Sequence, residues 1–108
     1  MTTSDQPIVR LSVEFMNEVG SPLRRLPEDA VPPFDFWDYV ERIPVEDYAG
    51  CNSLGTVQYV YEDPAQRYLL VNLDTDDKNV FMVVVLDIRS NCVHGHLLLD
   101  LNKEYGSK

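Results

Sequence analysis

The sequence predicts an α+β domain: two N-terminal helices packed on one face of a four-stranded antiparallel β-meander. Three observations lead there. The first half of the chain carries apolar residues at helical spacing, the second half alternates with a period of two from Thr56 onward, and the gaps between its strands are too short for crossover helices. At 108 residues the chain has the length of a single domain over 1–108, read as a helical part over 1–50 and a meander over 55–102.

The first helix is expected over 7–19. Ser4 or Asp5 can cap it, Pro7 suits a first turn, and Gly20 is a natural stop. Ile8, Leu11, Phe15 and Val19 recur at spacings of three and four, with Met16 alongside. Four prolines make residues 21–34 an irregular connector. A second helix is expected over 35–43, capped by Asp35 and ended by Pro44, with Phe36, Tyr39, Val40 and Ile43 on its inner face. Residues 45–55 read as a loop with one helical turn at Val45–Tyr48.

Four strands follow, over 56–62, 67–74, 79–88 and 92–101, rich in Val, Leu and Tyr. With Ser90-Asn91 as a two-residue turn, Leu86 faces Gly95 and Val85 faces His96. One sheet face then carries Val80, Met82, Val84 and Leu86 beside Val93, Leu97 and Leu99, and belongs under the helices. The other carries Phe81, Val83, Val85 and Asp87 beside His94, His96, Leu98 and Asp100, with Leu70 and Asn72 from the preceding strand. Left open, that second face is large enough for a contact surface, and a homodimer or a partner seated on Phe81 and Val83 is expected there. The sequence leaves the register of the first hairpin undecided between Tyr59 with Tyr61 and Val60 as the core-facing set.

Acids outnumber bases 18 to 9, a formal charge of −9. That balance argues against nucleic acid and against anionic lipid, both of which need a basic footprint. The start of the chain lacks the pattern of a secretory signal, and its longest strongly apolar run, Val80 to Leu86, falls far short of the roughly 20 residues of a membrane span. A soluble, cytoplasmic protein is expected, with Cys51 and Cys92 reduced.

The sharpest candidate for chemistry is His94-Gly95-His96 followed by Asp100. Residues two apart on a strand share a side, so both imidazoles, Asp100 and Asp87 would line one surface, a donor set suited to a divalent metal. The spacing resembles the first metal motif of the cupins over seven residues, with Asp100 where that family uses Glu. No second motif follows and the remaining strands do not read as a jelly roll, so the family is not assigned. The competing reading makes Asp87 and His94 a cross-strand pair. Catalysis finds little support. Ser53 lacks a nucleophile elbow, Cys92 lacks a basic environment, the glycines are scattered, and Asp74-Thr75-Asp76-Asp77 lacks the glycine and closing Glu of a calcium loop.

The other notable stretch is Glu28 to Tyr48, with seven acids, one base and five aromatics. Residues 28–63 hold nine acids and Arg42 alone among the bases, a net of −8 that is nearly the whole imbalance. Helical spacing explains most of the rings as core, but Trp37 falls outside the stripe. Asp35, Trp37, Asp38 and Glu41 are therefore the candidate docking residues for a basic protein partner, the rings anchoring and the charge steering. The paired acids elsewhere, Glu46-Asp47 and Glu62-Asp63 among them, read as a solvated rim. The function expected is that of a small acidic non-catalytic interaction module without a cofactor, similar in size and charge to immunity or inhibitor proteins. The alternative is a metal- or small-ligand-binding protein or enzyme using His94, His96 and Asp100.

Overall fold

The run from Val80 to Leu86 becomes an interior strand of a sheet covered on both faces, and that determines how everything else is placed. The computed structural model describes residues 7–12, 14–19, 23–27, 36–48 and 54–100. In chain order the elements are α1 (Phe15–Glu18), β1 (Arg24–Arg25), α2 (Trp37–Arg42), a 3-10 turn (Val45–Tyr48), β2 (Leu54–Glu62), β3 (Tyr68–Thr75), β4 (Val80–Asp87) and β5 (Cys92–Asp100). The sheet is antiparallel with strand order β1-β2-β3-β4-β5.

Two short helices and a five-stranded sheet replace the expected pair of helices on a four-stranded meander. The largest departure is at the N-terminus. The helix expected over 7–19 exists only as α1. Residues 9–11 instead run extended along the outer edge of β5 in a parallel bridge between Arg10 and His96. The His96 amide donates to Val9 O at 2.9 Å and the Leu11 amide donates to His96 O at 2.7 Å. A bare strand edge is a row of unpaired polar groups, and the β-branched Ile8 and Val9 are well suited to pairing with it. Ser12 ends the extended run, its hydroxyl accepting from the Glu14 amide and its carbonyl from that of Phe15.

β1 lies inside the stretch expected to be irregular. Arg24 pairs with Glu62 and Arg25 with Tyr61, and the Arg24 guanidinium forms an ion pair with Glu62. α2 falls within its expected span. Its expected cap, Asp35, lies outside the described residues. Ile43 is extended, as the position before Pro44 requires.

The helices sit on opposite faces. α2 delivers Phe36, Tyr39, Val40 and Ile43 onto Val60, Leu69, Val71, Leu73, Met82, Val84, Leu86 and Val93. α1 delivers Phe15, with Val19 just after it, onto Leu70, Val83, Val85 and Leu97, joined by Leu11 and Leu23. With cover on both sides, residues 69–73 and 82–87 are buried without a break, and alternation loses its meaning there. The first hairpin resolves in the same way: Val60 packs under α2 while Tyr61 packs on the α1 side.

The last hairpin departs from the expected register. Asp87 pairs with Cys92 and Leu86 with Val93, but Val85 pairs with Gly95 and Val84 with His96. His94 is the extra residue of a β-bulge. The two-residue turns that suit a hairpin both need a positive φ at the first position, Ser90, and of the pair only Asn91 has one, at 57°. The loop spans 88–91 instead, because Asp87 Oδ1 accepts the Arg89 amide at 3.0 Å and the Ser90 amide at 3.3 Å. Burial pushes the Asp87 carboxyl up, but those amides, the Arg67 guanidinium and the Ser90 hydroxyl outweigh it and hold it below the ordinary carboxylate range. Past the bulge every β5 side chain changes face: Leu97 and Leu99 lie on the α1 side, and His96 and Leu98 on the α2 side.

Gly95 makes the closure of the edge possible. A Cβ there would sit 2.7 Å from Leu11 Cγ and 2.9 Å from Val9 O. Gly95→Ala is expected to lower stability by about 1–3 kcal/mol, the usual cost of overpacking, read as the midpoint of urea unfolding. An unchanged midpoint would mean that the N-terminal segment can step away from β5 at no cost.

Candidate functional site

The polar centre of the molecule is His96, which is 1% exposed. The bulge turns its ring onto the α2 face, where it meets Tyr39 from α2 and Asp47 from the 3-10 turn. Its Nε2 lies 2.8 Å from Asp47 Oδ2, and its Nδ1 lies 2.8 Å from the Tyr39 hydroxyl. Asp47 Oδ1 in turn faces Arg10 Nη1 at 3.2 Å. The Tyr39 hydroxyl accepts the Val9 amide at 2.9 Å and has Val9 O at 3.1 Å as a second acceptor.

Hydrogen-bond chemistry fixes the roles. The Asp47 carboxylate only accepts, so Nε2 carries a proton. The phenol has one proton and two acceptors in reach, Nδ1 and Val9 O. Pointing it at Nδ1 satisfies the imidazole, and pointing it at Val9 O satisfies an imidazolium. Every polar atom of the cluster therefore has a partner in either form. Burial drives the Tyr39 phenol above its ordinary value and the Asp47 charge adds to that, against lowering contributions from the Val9 amide and Arg42. An Asp-His-Tyr row has the composition of a proton relay, but Tyr39 is 2% exposed and presents no atom to a substrate. The arrangement positions backbone: it ties the N-terminal segment, α2 and the 3-10 turn to one strand edge.

The other predicted metal donors lie elsewhere. His94 projects to the α1 face, its ring centroid 5.1 Å from those of Phe15 and Tyr68. Asp100 lies opposite Val80, four residues beyond His96. Asp87 is engaged with its turn amides. The spacing that placed both histidines on one surface is undone by the bulge between them. Among the described residues no group of three His, Cys, Asp or Glu is close enough to hold a metal ion. Cys92 is a free thiol with Ser90 Oγ at 3.0 Å.

Two of the acids expected on a solvated rim are buried acceptors. Asp47 serves His96, and Asp63, 4% exposed, takes the amides of Arg67 at 2.7 Å and Tyr68 at 2.8 Å. The predicted docking residues divide as well. Trp37, Asp38 and Glu41 lie on the outer side of α2 and are exposed. Val83 is 1% exposed under α1, and Phe81 is half-buried in a cleft beside it. Among the described residues no helix is long and apolar enough to cross a membrane.

Sequence reasoning placed Tyr39 in the core and Asp47 on the rim, so it missed that the two share a partner. The available signal was an aspartate three residues after the helix-ending Pro44 together with a histidine beside the leucine run of the last strand. Tyr39→Phe leaves the Val9 amide unpartnered and is expected to cost about 1–2 kcal/mol near neutral pH. Because the phenol is raised in the folded state, its contribution is full below the ordinary value of 10.0 and is lost as pH rises through the raised one. Alkaline unfolding followed by circular dichroism should therefore be less pH-dependent in the variant, and equal slopes would remove Tyr39 from the account.

The chain matches no protein-family model, no curated protein and no solved structure.

Proposed function

We propose that the protein is a non-catalytic interaction module that docks a basic protein partner through the outer side of α2 and the 3-10 turn. The observation that carries the reading is Trp37. Its neighbours on α2 complete the inner stripe, with Phe36, Tyr39, Val40 and Ile43 all buried, while Trp37 stays 41% exposed. Its ring stacks on Phe36, centroids 5.0 Å apart at 24°. An anchor held by a buried ring loses little conformational freedom on binding, as a docking residue should.

Acids outnumber bases around it, with the half-buried Arg42 as the one base of the helix. Asp38 and Glu41 lie on the same helix, and Glu46 follows in the 3-10 turn beside Val45, which is 65% exposed. Acids at the rim of an aromatic patch speed encounter with a basic surface and discriminate against acidic ones. The buried network supports the same reading, because it holds α2 and the 3-10 turn in one fixed relation and so presents a preorganised surface. The second sheet face contributes less to docking, since α1 covers Val83.

The test is a variant carrying Trp37→Ala, Asp38→Asn and Glu41→Gln. It should unfold within about 1 kcal/mol of the parent, as exposed substitutions do. The parent should retain one defined basic protein from its native lysate, with an association rate that falls as salt rises. The variant should bind that protein about 100-fold more weakly, the usual effect of losing an anchor and its charges. Equal binding by parent and variant would overturn the reading. So would a stability loss of about 3 kcal/mol or more from Trp37→Ala alone, which would make the ring part of the core.

A further inference from the structure

On the α1 side of the sheet lies a cleft of about 410 Å³, distinct from the α2 surface. The sheet supplies Tyr59, Tyr61, Asn72 and Phe81 to it, and the N-terminal half supplies Met16 and Leu23. A volume of this order suits a small molecule, and a mostly apolar wall with a few polar groups is the usual make-up of such a site. The unusual residue is Asn72. It is 9% exposed, its side chain lines the cleft, and no hydrogen bond from a described residue reaches its amide. The residue is nine-tenths buried, so the little surface it keeps lies on the cleft wall, where a ligand or water can meet its amide.

The surroundings narrow the ligand's chemistry. Asn72 lies opposite both Tyr59 and Val83 across the strands, which puts it between an aromatic and an aliphatic wall. Tyr59 is in ring contact with Tyr61 at 6.2 Å and 45° and with Phe81 at 6.4 Å and 57°, so one wall is aromatic with its rings tilted against one another. Aromatic surfaces favour flat rings. A primary amide offers an acceptor and two donors at one edge, and its complement is another edge with adjacent donor and acceptor. Arg25 stands over the Tyr59 ring, its guanidinium 4.3 Å from the centroid. That cation favours a neutral or anionic ligand over a cationic one.

We infer that this cleft binds a small, flat aromatic molecule bearing a carboxamide or lactam edge, read by the Asn72 amide and packed against the aromatic wall of Tyr59, Tyr61 and Phe81. Where an apolar residue would offer only surface, Asn72 offers the donors and the acceptor that select that edge.

The probes are benzamide, which carries ring and edge, and toluene, which carries the ring alone. Benzamide titrated into the 15N-labelled full chain should shift the Asn72 side-chain amide and the backbone amides of Leu70 and Val83, with a dissociation constant on the order of 1 mM. Toluene should bind about tenfold more weakly, the discrimination expected from one good hydrogen-bonded edge. Asn72→Leu keeps the approximate shape and should make the two probes equivalent. No benzamide shifts up to about 10 mM, shifts confined to other residues, or toluene binding as tightly as benzamide to the parent would each overturn the proposal. The last comparison needs only the parent protein, so it decides the matter even where Asn72→Leu fails to fold. Excess water as the sole occupant appears as no shift with either probe.

Discussion

An imidazole buried on the outer edge of a sheet must find two hydrogen-bond partners away from water, and meeting that demand organises half of this molecule. The partners of His96 come from separate segments, Tyr39 from α2 and Asp47 from the 3-10 turn. Its backbone is paired to a third, the strand-like residues 9–11. Tyr39 closes the circuit by accepting the Val9 amide. Leaving a buried polar group without its partner costs about 1–3 kcal/mol, so each member has a price that rises when another is removed. Arg10 adds an exposed ion pair at Asp47, which contributes little by itself and points the carboxylate toward the ring.

This demand explains two separate local features. The bulge at His94 puts His96 on the α2 side, where its partners are, and sends Leu97 and Leu99 to the α1 side. Gly95 then clears the space in which Val9 and Leu11 approach the strand. The same shift gives His94 a different role, as a ring packed among Phe15 and Tyr68. Neighbouring histidines thus serve opposite layers, one satisfied by polar partners and the other by aromatic stacking.

Much of the sheet was legible in the sequence because β-branched and apolar alternation is a local signal. The four long strands lie within a residue or two of their expected positions, and the helical turn at Val45–Tyr48 is present in 3-10 form. The faces of β4 follow its alternation from Val80 to Leu86. What was not legible depends on contacts distant in sequence. Ile8, Leu11, Phe15 and Val19 have helical spacing, yet the open edge of β5 outweighs helix propensity for residues 9–11. One bulge reverses the face of everything after it, which is why His96, Leu98 and Leu97 were each assigned to the wrong side. The charge also reads differently in three dimensions. Asp47 and Asp63 are spent inside as acceptors, while Asp38, Glu41 and Glu46 remain outside around Trp37. The acidic stretch is therefore both an internal set of clamps and an outward surface, and the sequence alone shows no division between them.

The claim that His96 ties the edge together is tested most directly by native-state hydrogen exchange on His96→Leu. Leucine fills the site but offers neither partner. The account predicts that the amides of Leu11, Val40 and Ile43 lose about tenfold or more of their protection relative to Val71 and Val84, because the N-terminal segment and α2 loosen while the central strands stay paired. Equal loss at all five amides, or none at any, would contradict it.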